Sequence, residues 1–415
     1  MNALPKIDLM KAATRLTREG RLKEAMAVLR AALPGAASTA AASEEATQHR
    51  QEPADGASSI LDMMPPRPGT DGAWTSPQTD EAHRAQVPPV SGALRGFLDR
   101  LGAFGADRGL DGRSMPGANR APAPLPDGAR FEERTYANAA GSRNYKLYVP
   151  SGYRGQAVPL MVMLHGCTQS PDDFAAGTRM NELAEEQNFL VAYPAQPQSA
   201  NASKCWNWFS AGDQQRGQGE PSLIAGITRE IMGEFAVEPG RVYVAGLSAG
   251  GAAAAIMGAT YPELYAAIGV HSGLACGAAK DMPTAFAAMR HGAPPTTSRP
   301  RSHARPNGAI PTIVFHGDRD RTVHRINGDQ VIAQAKAAAD LGITVRRGTA
   351  PGGIGYTCTI QADENGRPVL EHWVLHGVGH AWSGGSTAGS YTEPRGPHAS
   401  GEMVRFFLQH NATTG

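Results

Sequence analysis

From residue 131 onward, apolar runs alternate with segments of helical spacing. The run PLMVMLHG at 159–166 is almost wholly apolar and ends in glycine, which is typical of a strand buried on both faces of a sheet. Later runs of the same kind read FLVAYPA, RVYVAG, AAIGVHSG and IPTIVFHG. The helical segments between them read TRMNELAEEQ, SLIAGITREIMGEF, AGGAAAAIMGATY and INGDQVIAQAKAAADL. This alternation predicts an α/β domain with a mostly parallel central sheet and helices on both faces.

The chain before this domain has a different pattern. Apolar residues at helical spacing on either side of Gly20 predict a helical hairpin over residues 1–33, which is a candidate for docking or self-association. Residues 34–128 are rich in Ala, Pro, Gly and Ser and poor in large apolar side chains, which favours a disordered linker. The sequence therefore predicts a hairpin, a linker and an α/β domain over residues 129–415. The run NYKLYVP and the residues before it predict antiparallel edge strands at the start of that domain.

Composition narrows the range of partners. The chain of 415 residues has 39 Lys and Arg against 38 Asp and Glu, so no strong net charge favours nucleic acid or an anionic membrane, and a neutral substrate is expected. The four cysteines lack zinc-type spacing, so neither a metal nor another cofactor is expected. The N-terminal segment lacks the apolar core of a secretory signal, and no window is long enough to span a membrane. These features favour a cytoplasmic location.

The segment RVYVAGLSAGG joins a predicted strand to a predicted helix at Ser248. Its core, GLSAG, fits the pattern G-x-S-x-G, in which Gly246 and Gly250 make room for a turn too tight for larger side chains. Such a turn exposes the serine hydroxyl at the carboxyl edge of the sheet, where ligands of parallel sheets bind. Because a strand precedes the motif and a helix follows it, we interpret Ser248 as a nucleophile. A plain turn would also account for the glycines.

A serine nucleophile needs a base, and the base needs an acid that orients it, in the chain order Ser, acid, His. The segment FHGDRDRTV offers Asp318 and Asp320 after a buried strand. We favour Asp320, which lies farther into the loop, and expect Asp318 to cap the loop backbone. The segment WVLHGVGHAWSGG offers His376 and His380. We favour His380, because its glycine-flanked loop can reach the serine.

Acyl transfer also needs backbone N–H groups that stabilise a tetrahedral oxyanion. One donor is expected from Ala249, the residue after the nucleophile. The other is expected from the loop LHGCTQSPDDF, where His165 and Gly166 end a strand and leave the N–H of Cys167 as the donor.

Aromatic residues are candidates for the wall of a binding pocket. The segment CWNWF contributes Trp206, Trp208 and Phe209, and Trp382 follows the proposed base. An apolar substrate wall and ordinary core packing both fit these positions, so the pattern leaves the two interpretations open.

Six motifs follow one another along the chain, and they read LHGCTQSPDDFAAGTRMNELAEEQNFLVAYPAQ, KCWNWF, GEPSLIAGI, GLSAGG, FHGDRDRTV and GHAWSGG. Taken together, they resemble the polyhydroxybutyrate (PHB) depolymerase family of esterases, which is related to feruloyl and acetylxylan esterases. The resemblance covers residues from about 130 to about 410 and implies an α/β-hydrolase fold without a metal. It implies hydrolysis of short-chain hydroxyalkanoate polyesters or oligomers by Ser248, His380 and Asp320, with Cys167 and Ala249 in the oxyanion hole.

Within this resemblance the function has alternatives. A feruloyl or acetylxylan type of carboxylesterase, an acyltransferase with the same triad and a non-catalytic binding protein also fit the fold. Many secreted polymer-degrading members carry a signal peptide and a substrate-binding module, which this sequence does not show, so the family's often extracellular location conflicts with the cytoplasmic expectation.

Two cysteines flank the expected pocket. Cys167 and Cys205 are therefore expected to form a disulfide, and Cys276 and Cys358 are a weaker second pair. A disulfide would favour an oxidising compartment.

Overall fold

The computed structural model describes residues 124–294, 310–336 and 341–412. The hairpin expected over residues 1–33 lies outside the described residues. The linker expected over 34–128 also lies outside them, except for its last few residues. Both stay predictions.

A ten-stranded sheet forms the centre of the described domain. Its strands are β1 (Arg130–Asn138), β2 (Gly141–Val149), β3 (Val158–Leu164), β4 (Leu190–Pro194), β5 (Val237–Leu247), β6 (Ala267–His271), β7 (Thr312–Gly317), β8 (Gly342–Thr349), β9 (Gly355–Ala362) and β10 (Pro368–Leu375). Their spatial order is β1-β2-β4-β3-β5-β6-β7-β10-β9-β8. The six strands from β4 to β10 in this order pair in parallel, and the two strands at each end pair antiparallel.

Helices cover both faces of this sheet. They are α1 (Pro171–Thr178), α2 (Met180–Gln187), α3 (Gly219–Glu234), α4 (Ala249–Thr260), α5 (Met282–His291), α6 (Ile326–Ala335) and α7 (Ala399–Phe407). Two short strands, β11 (Trp382–Ser383) and β12 (Thr392–Glu393), form a separate parallel pair. None of the helices in the described ranges has the length and apolarity needed to cross a bilayer.

Strand β3 shows why the sheet needs a helical layer on each face. All seven of its residues are buried, and alternate side chains enter different cores. Leu160 and Val162 pack in a core that includes residues of α3, α4 and α6. Met161 and Met163 pack in a second core that includes residues of α1, α2 and α7. The predicted mostly parallel sheet with helices on both faces is thereby confirmed.

The structure corrects two of the predicted helices. The helix expected over TRMNELAEEQ begins only at Met180, because Arg179 has a left-handed φ of 58° that ends α1 and precedes α2. Helix α6 ends at Ala335 rather than near residue 341, since Lys336 is extended. The antiparallel hairpin of β8 and β9 was not predicted, because nearly every residue of β8 is exposed and the strand has no apolar face to reveal it.

The cysteines pair only in part as expected. Cys167 and Cys205 form a disulfide. The second expected pair is wrong, because Cys276 and Cys358 are free thiols that lie in the two different cores, on opposite faces of the sheet. Burial raises the pKa of each thiol to about 12, so both stay protonated at neutral pH.

Candidate active site

Ser248 lies at a strained turn between β5 and α4. Its backbone has φ 58° and ψ −118°, and its N–H donates to the carbonyl oxygen of His271 at 2.9 Å. The two motif glycines are required because neighbouring backbone atoms leave no room for a side chain at either position. A Cβ at Gly250 would overlap the carbonyl oxygens of Leu164 and His165, and a Cβ at Gly246 would overlap the backbone of Gly250. The missing side chains therefore let α4 begin directly against β3.

Asp320 and His380 form a buried hydrogen-bonded pair. His380 Nδ1 lies 2.7 Å from Asp320 Oδ2, and the two side chains are 10% and 0% exposed. Asp320 Oδ1 accepts the backbone N–H groups of Thr322 and Val323, both at 2.9 Å. Burial alone would raise the pKa of Asp320, but His380, His316 and the Val323 amide outweigh it and hold that pKa below its ordinary value. An ionised Asp320 thus fixes the ring of His380 by Nδ1 and leaves Nε2 for a proton transfer.

Asp318 and His376, which were not favoured as acid and base, pair with each other at the surface. His376 Nδ1 lies 3.1 Å from Asp318 Oδ2, and His376 Nε2 lies 2.9 Å from Thr357 Oγ1. Asp318 Oδ1 accepts the N–H of Gly377 at 2.7 Å, so this carboxylate does cap its loop. Both side chains are partly exposed, and neither lines the cavity at Ser248. The same two loops therefore carry two Asp–His pairs, of which only one reaches the cavity.

Ser248 and His380 line one cavity of about 280 Å³. Helix α5 contributes four residues to its wall, at helical spacing, which are Met282, Ala285, Phe286 and Met289. Trp208, Phe209 and Leu274 add further apolar surface. No Asp, Glu, Lys or Arg is among the described residues that line this cavity. Such a wall favours an uncharged, largely aliphatic ligand.

Two backbone amides face the same cavity without a protein partner. The N–H groups of Cys167 and Ala249 donate to no acceptor among the described residues, and both residues line the cavity. Ala249 opens α4, so its amide lies at the positive end of the helix dipole. The loop of Cys167 is fixed by the disulfide to Cys205 and by a 2.7 Å bond from Thr168 N–H to Ser203 O. These amides are preformed donors of the kind that stabilises an oxyanion.

Of the three candidate tryptophans, the structure places two in the core rather than in the wall of the cavity. Trp206 and Trp382 are fully buried and do not line the cavity, whereas Trp208 does. The indole of Trp206 donates to the carbonyl oxygen of His165 at 3.1 Å, and thereby braces the end of β3. The indole of Trp382 donates to Ser400 Oγ at 3.1 Å. Both residues lie behind the loops that form the site, with their N–H groups satisfied by the core.

Sequence reasoning missed the contribution of α5 to the cavity. A signal was present, because DMPTAFAAM repeats apolar residues at helical spacing after Asp281. In the structure Asp281 is the N-cap of α5, and its side chain accepts the N–H of Thr284 in a capping box. Tyr391, another lining residue, follows a stretch with no helical or strand pattern and left no such signal.

The parallel sheet, the strained serine turn and the Asp–His pair at the strand ends define the α/β-hydrolase class of proteins. Residues 143–347 match the model of the family described as Esterase PHB depolymerase, so over this region the chain is similar to that family.

Individual proteins of known name are similar to parts of the chain. The chain is 34% identical over 239 residues to poly(3-hydroxyalkanoate) depolymerase C of Paucimonas lemoignei. The aligned region covers 56% of this chain and 57% of that protein. It is 33% identical over 141 residues to acetylxylan esterase A of Talaromyces purpureogenus, and this alignment covers 34% of this chain and 36% of that protein. The chain thus spans less than two thirds of these relatives. The solved acetyl xylan esterase from Aspergillus awamori supports the fold, with a TM-score of 0.54 at 20% identity over 68% of this chain and 99% of that one.

The two Asp–His pairs give a matched test of the buried carboxylate. Because the folded-state pKa of Asp320 is lowered, its stabilising contribution is present above the ordinary pKa near 4 and is lost as pH falls through the lower folded value. We expect Asp320→Asn to reduce the free energy of unfolding by about 1 to 3 kcal/mol at pH 7 and by less below pH ~4. Urea unfolding at both pH values measures this difference. Asp318→Asn, on the surface, should cost less than about 1 kcal/mol. An equal loss of unfolding free energy in both variants would contradict a special role for the buried carboxylate of Asp320.

Proposed function

We propose that the protein is a serine esterase that hydrolyses short-chain hydroxyalkanoate polyesters or their oligomers. One observation carries this proposal: Ser248, His380 and the free amides of Cys167 and Ala249 all face one uncharged cavity. The relative from Paucimonas lemoignei, named a poly(3-hydroxyalkanoate) depolymerase, supports the substrate class. No cofactor takes part in the proposed reaction.

In the first half of the proposed reaction, Ser248 Oγ attacks the ester carbonyl carbon while His380 Nε2 takes its proton. The carbonyl oxygen becomes an oxyanion that accepts the N–H groups of Cys167 and Ala249. Asp320 stabilises the imidazolium through Nδ1–H, which already lies 2.7 Å from its carboxylate. When the tetrahedral intermediate collapses, the C–O bond to the alcohol breaks, and His380 gives its proton to the leaving oxygen.

In the second half, water replaces the alcohol. His380 Nε2 takes a proton from the water as its oxygen attacks the acyl-enzyme, and the same two amides hold the new oxyanion. Collapse breaks the bond to Ser248 Oγ, which recovers its proton from His380 and releases the carboxylic acid. An acyltransferase would differ only here, by admitting an alcohol in place of water.

The character of the cavity supports an aliphatic, uncharged acyl group. The side chains of α5 offer thioether and aromatic surface, and burying each methylene there contributes about 0.8 kcal/mol. An acetyl or feruloyl ester of a sugar is the second candidate, favoured by the identity to acetylxylan esterase A.

A substrate panel tests the proposed activity. We expect the parent protein to hydrolyse p-nitrophenyl butyrate and hydroxybutyrate oligomers with a higher kcat/KM than acetyl-sugar or feruloyl esters. Ser248→Ala should lower kcat by more than about 10,000-fold, because no attacking group is left. Ser142→Ala, on the exposed part of β2, is the matched control and should be unchanged.

Three other results would redirect the proposal. Preference for sugar esters would favour the second candidate. A methyl ester product formed faster than acid in dilute methanol would indicate an acyltransferase. Activity retained by Ser248→Ala would contradict the mechanism.

The two neighbouring tryptophans separate substrate binding from core packing. Trp208 lines the cavity, so Trp208→Ala should raise KM for oligomers more than KM for p-nitrophenyl butyrate. Trp206 is buried outside the cavity, so Trp206→Ala should instead lower the free energy of unfolding by about 3 to 5 kcal/mol. Steady-state kinetics and urea unfolding of both variants measure these effects. Equal KM changes for oligomer and minimal ester in Trp208→Ala would show that this side chain only packs.

A further inference from the structure

His271 is bonded to both loops that must meet for the proposed reaction. It ends β6, beside β5, and its carbonyl oxygen accepts the N–H of Ser248 at 2.9 Å. Its imidazole Nε2 accepts the N–H of Ser383 at 3.0 Å. Ser383 follows His380 by only three residues. One residue therefore joins the main chain at the nucleophile to the main chain of the loop that carries the base.

The surroundings of His271 keep its ring neutral and fixed. The residue is fully buried and lies between the rings of Phe315, at 5.7 Å and 12°, and Trp382, at 5.1 Å and 25°. Burial, reinforced by His316 and His380 and opposed by Asp320, holds the pKa of His271 well below its ordinary value. A neutral imidazole has one acceptor nitrogen. Since Nε2 accepts from Ser383, the proton lies on Nδ1, which is 3.2 Å from Ser272 Oγ.

An acceptor is needed at this position, because Ser383 is itself fully buried. Without the imidazole, its N–H would lose its partner in a place that water does not reach, which is unfavourable. The loop has other anchors on both sides, since Trp382 N–H donates to Tyr391 O at 2.7 Å and Gly384 N–H donates to Glu393 O at 2.9 Å. Loss of the His271 bond would therefore shift the loop rather than unfold it.

We propose that His271 is a positioning residue that sets His380 relative to Ser248. It is not among the described residues that line the cavity, and its bonds to the site go to the backbone N–H groups of Ser248 and Ser383. The inference rests on the proposed function for its kinetic consequence, whereas the placement of the His380 ring can be tested without catalysis.

Two substitutions separate the acceptor from the packing. His271→Phe keeps a flat ring between Phe315 and Trp382 but removes the acceptor, and His271→Gln offers an amide oxygen near the position of Nε2. With p-nitrophenyl butyrate, we expect His271→Phe to lower kcat by about 10- to 100-fold with KM changed less than about 2-fold, because a small misplacement of a catalytic group has effects of this size. His271→Gln should keep a higher kcat, so that its decrease in log kcat is at most half of the decrease in His271→Phe.

A buried histidine elsewhere serves as the control. His410, near the C-terminus, is 2% exposed and lies outside the cavity. His410→Phe should lower the melting temperature without changing kcat, which would show that lost stability alone does not slow the reaction. Equal impairment in His271→Phe and His271→Gln, or an unchanged kcat in His271→Phe, would overturn the inference.

A second measurement keeps the inference separate from the proposed function. The ring ¹⁵N and ¹H NMR signals of His380, assigned with His380→Gln, should shift in His271→Phe and return toward the parent positions in His271→Gln. If the parent protein hydrolyses no ester, the proposed function fails and these signals alone decide the role of His271. Identical His380 signals in the parent protein and in His271→Phe would overturn it.

Discussion

The site depends on one residue held in an unfavourable backbone conformation. A left-handed φ at a serine costs about 1 to 3 kcal/mol and persists only where the surrounding structure enforces it. Here the Ser248 N–H is bonded to His271 O, and Gly250 allows α4 to start against the end of β3. The same turn that exposes the hydroxyl also presents the N–H of Ala249 to the cavity. The proposed nucleophile and one proposed oxyanion donor are thus consequences of a single constraint.

The order of the parallel strands brings the other groups to this turn. Strands β5, β6, β7 and β10 are consecutive in the sheet and run in the same direction, so their carboxyl ends share one edge. The loops after β5, β7 and β10 carry Ser248, Asp320 and His380, which are far apart in sequence. Strand β6 lies between β5 and β7, and His271 at its end accepts hydrogen bonds from the backbone of Ser248 and of Ser383, in the loop that carries His380. A buried, neutral histidine is suited to this position, because it offers an acceptor and also packs between aromatic rings.

The features that were predicted correctly depend on patterns within short stretches of the sequence. Apolar runs revealed the buried strands, and the need for space around Ser248 was visible in its two glycines. Asp320 was favoured over Asp318 because it lies farther into the loop after the strand, and the structure does bond Asp320 to His380. Their roles in catalysis stay predictions. The sequence left the places of Trp206 and Trp382 open, because a loop sequence does not tell whether an indole faces the cavity or the core behind it. His271 was overlooked for a similar reason, since its role arises from a contact with a residue more than 100 positions away.

Covalent trapping with a p-nitrophenyl alkylphosphonate, followed by peptide mass spectrometry, tests most directly whether the strained turn makes Ser248 the attacking group. We expect one phosphonyl group per chain, located on Ser248, and a trapping rate that falls sharply in His380→Gln. A phosphonyl group on another residue, or none under conditions where the protein stays folded, would contradict it.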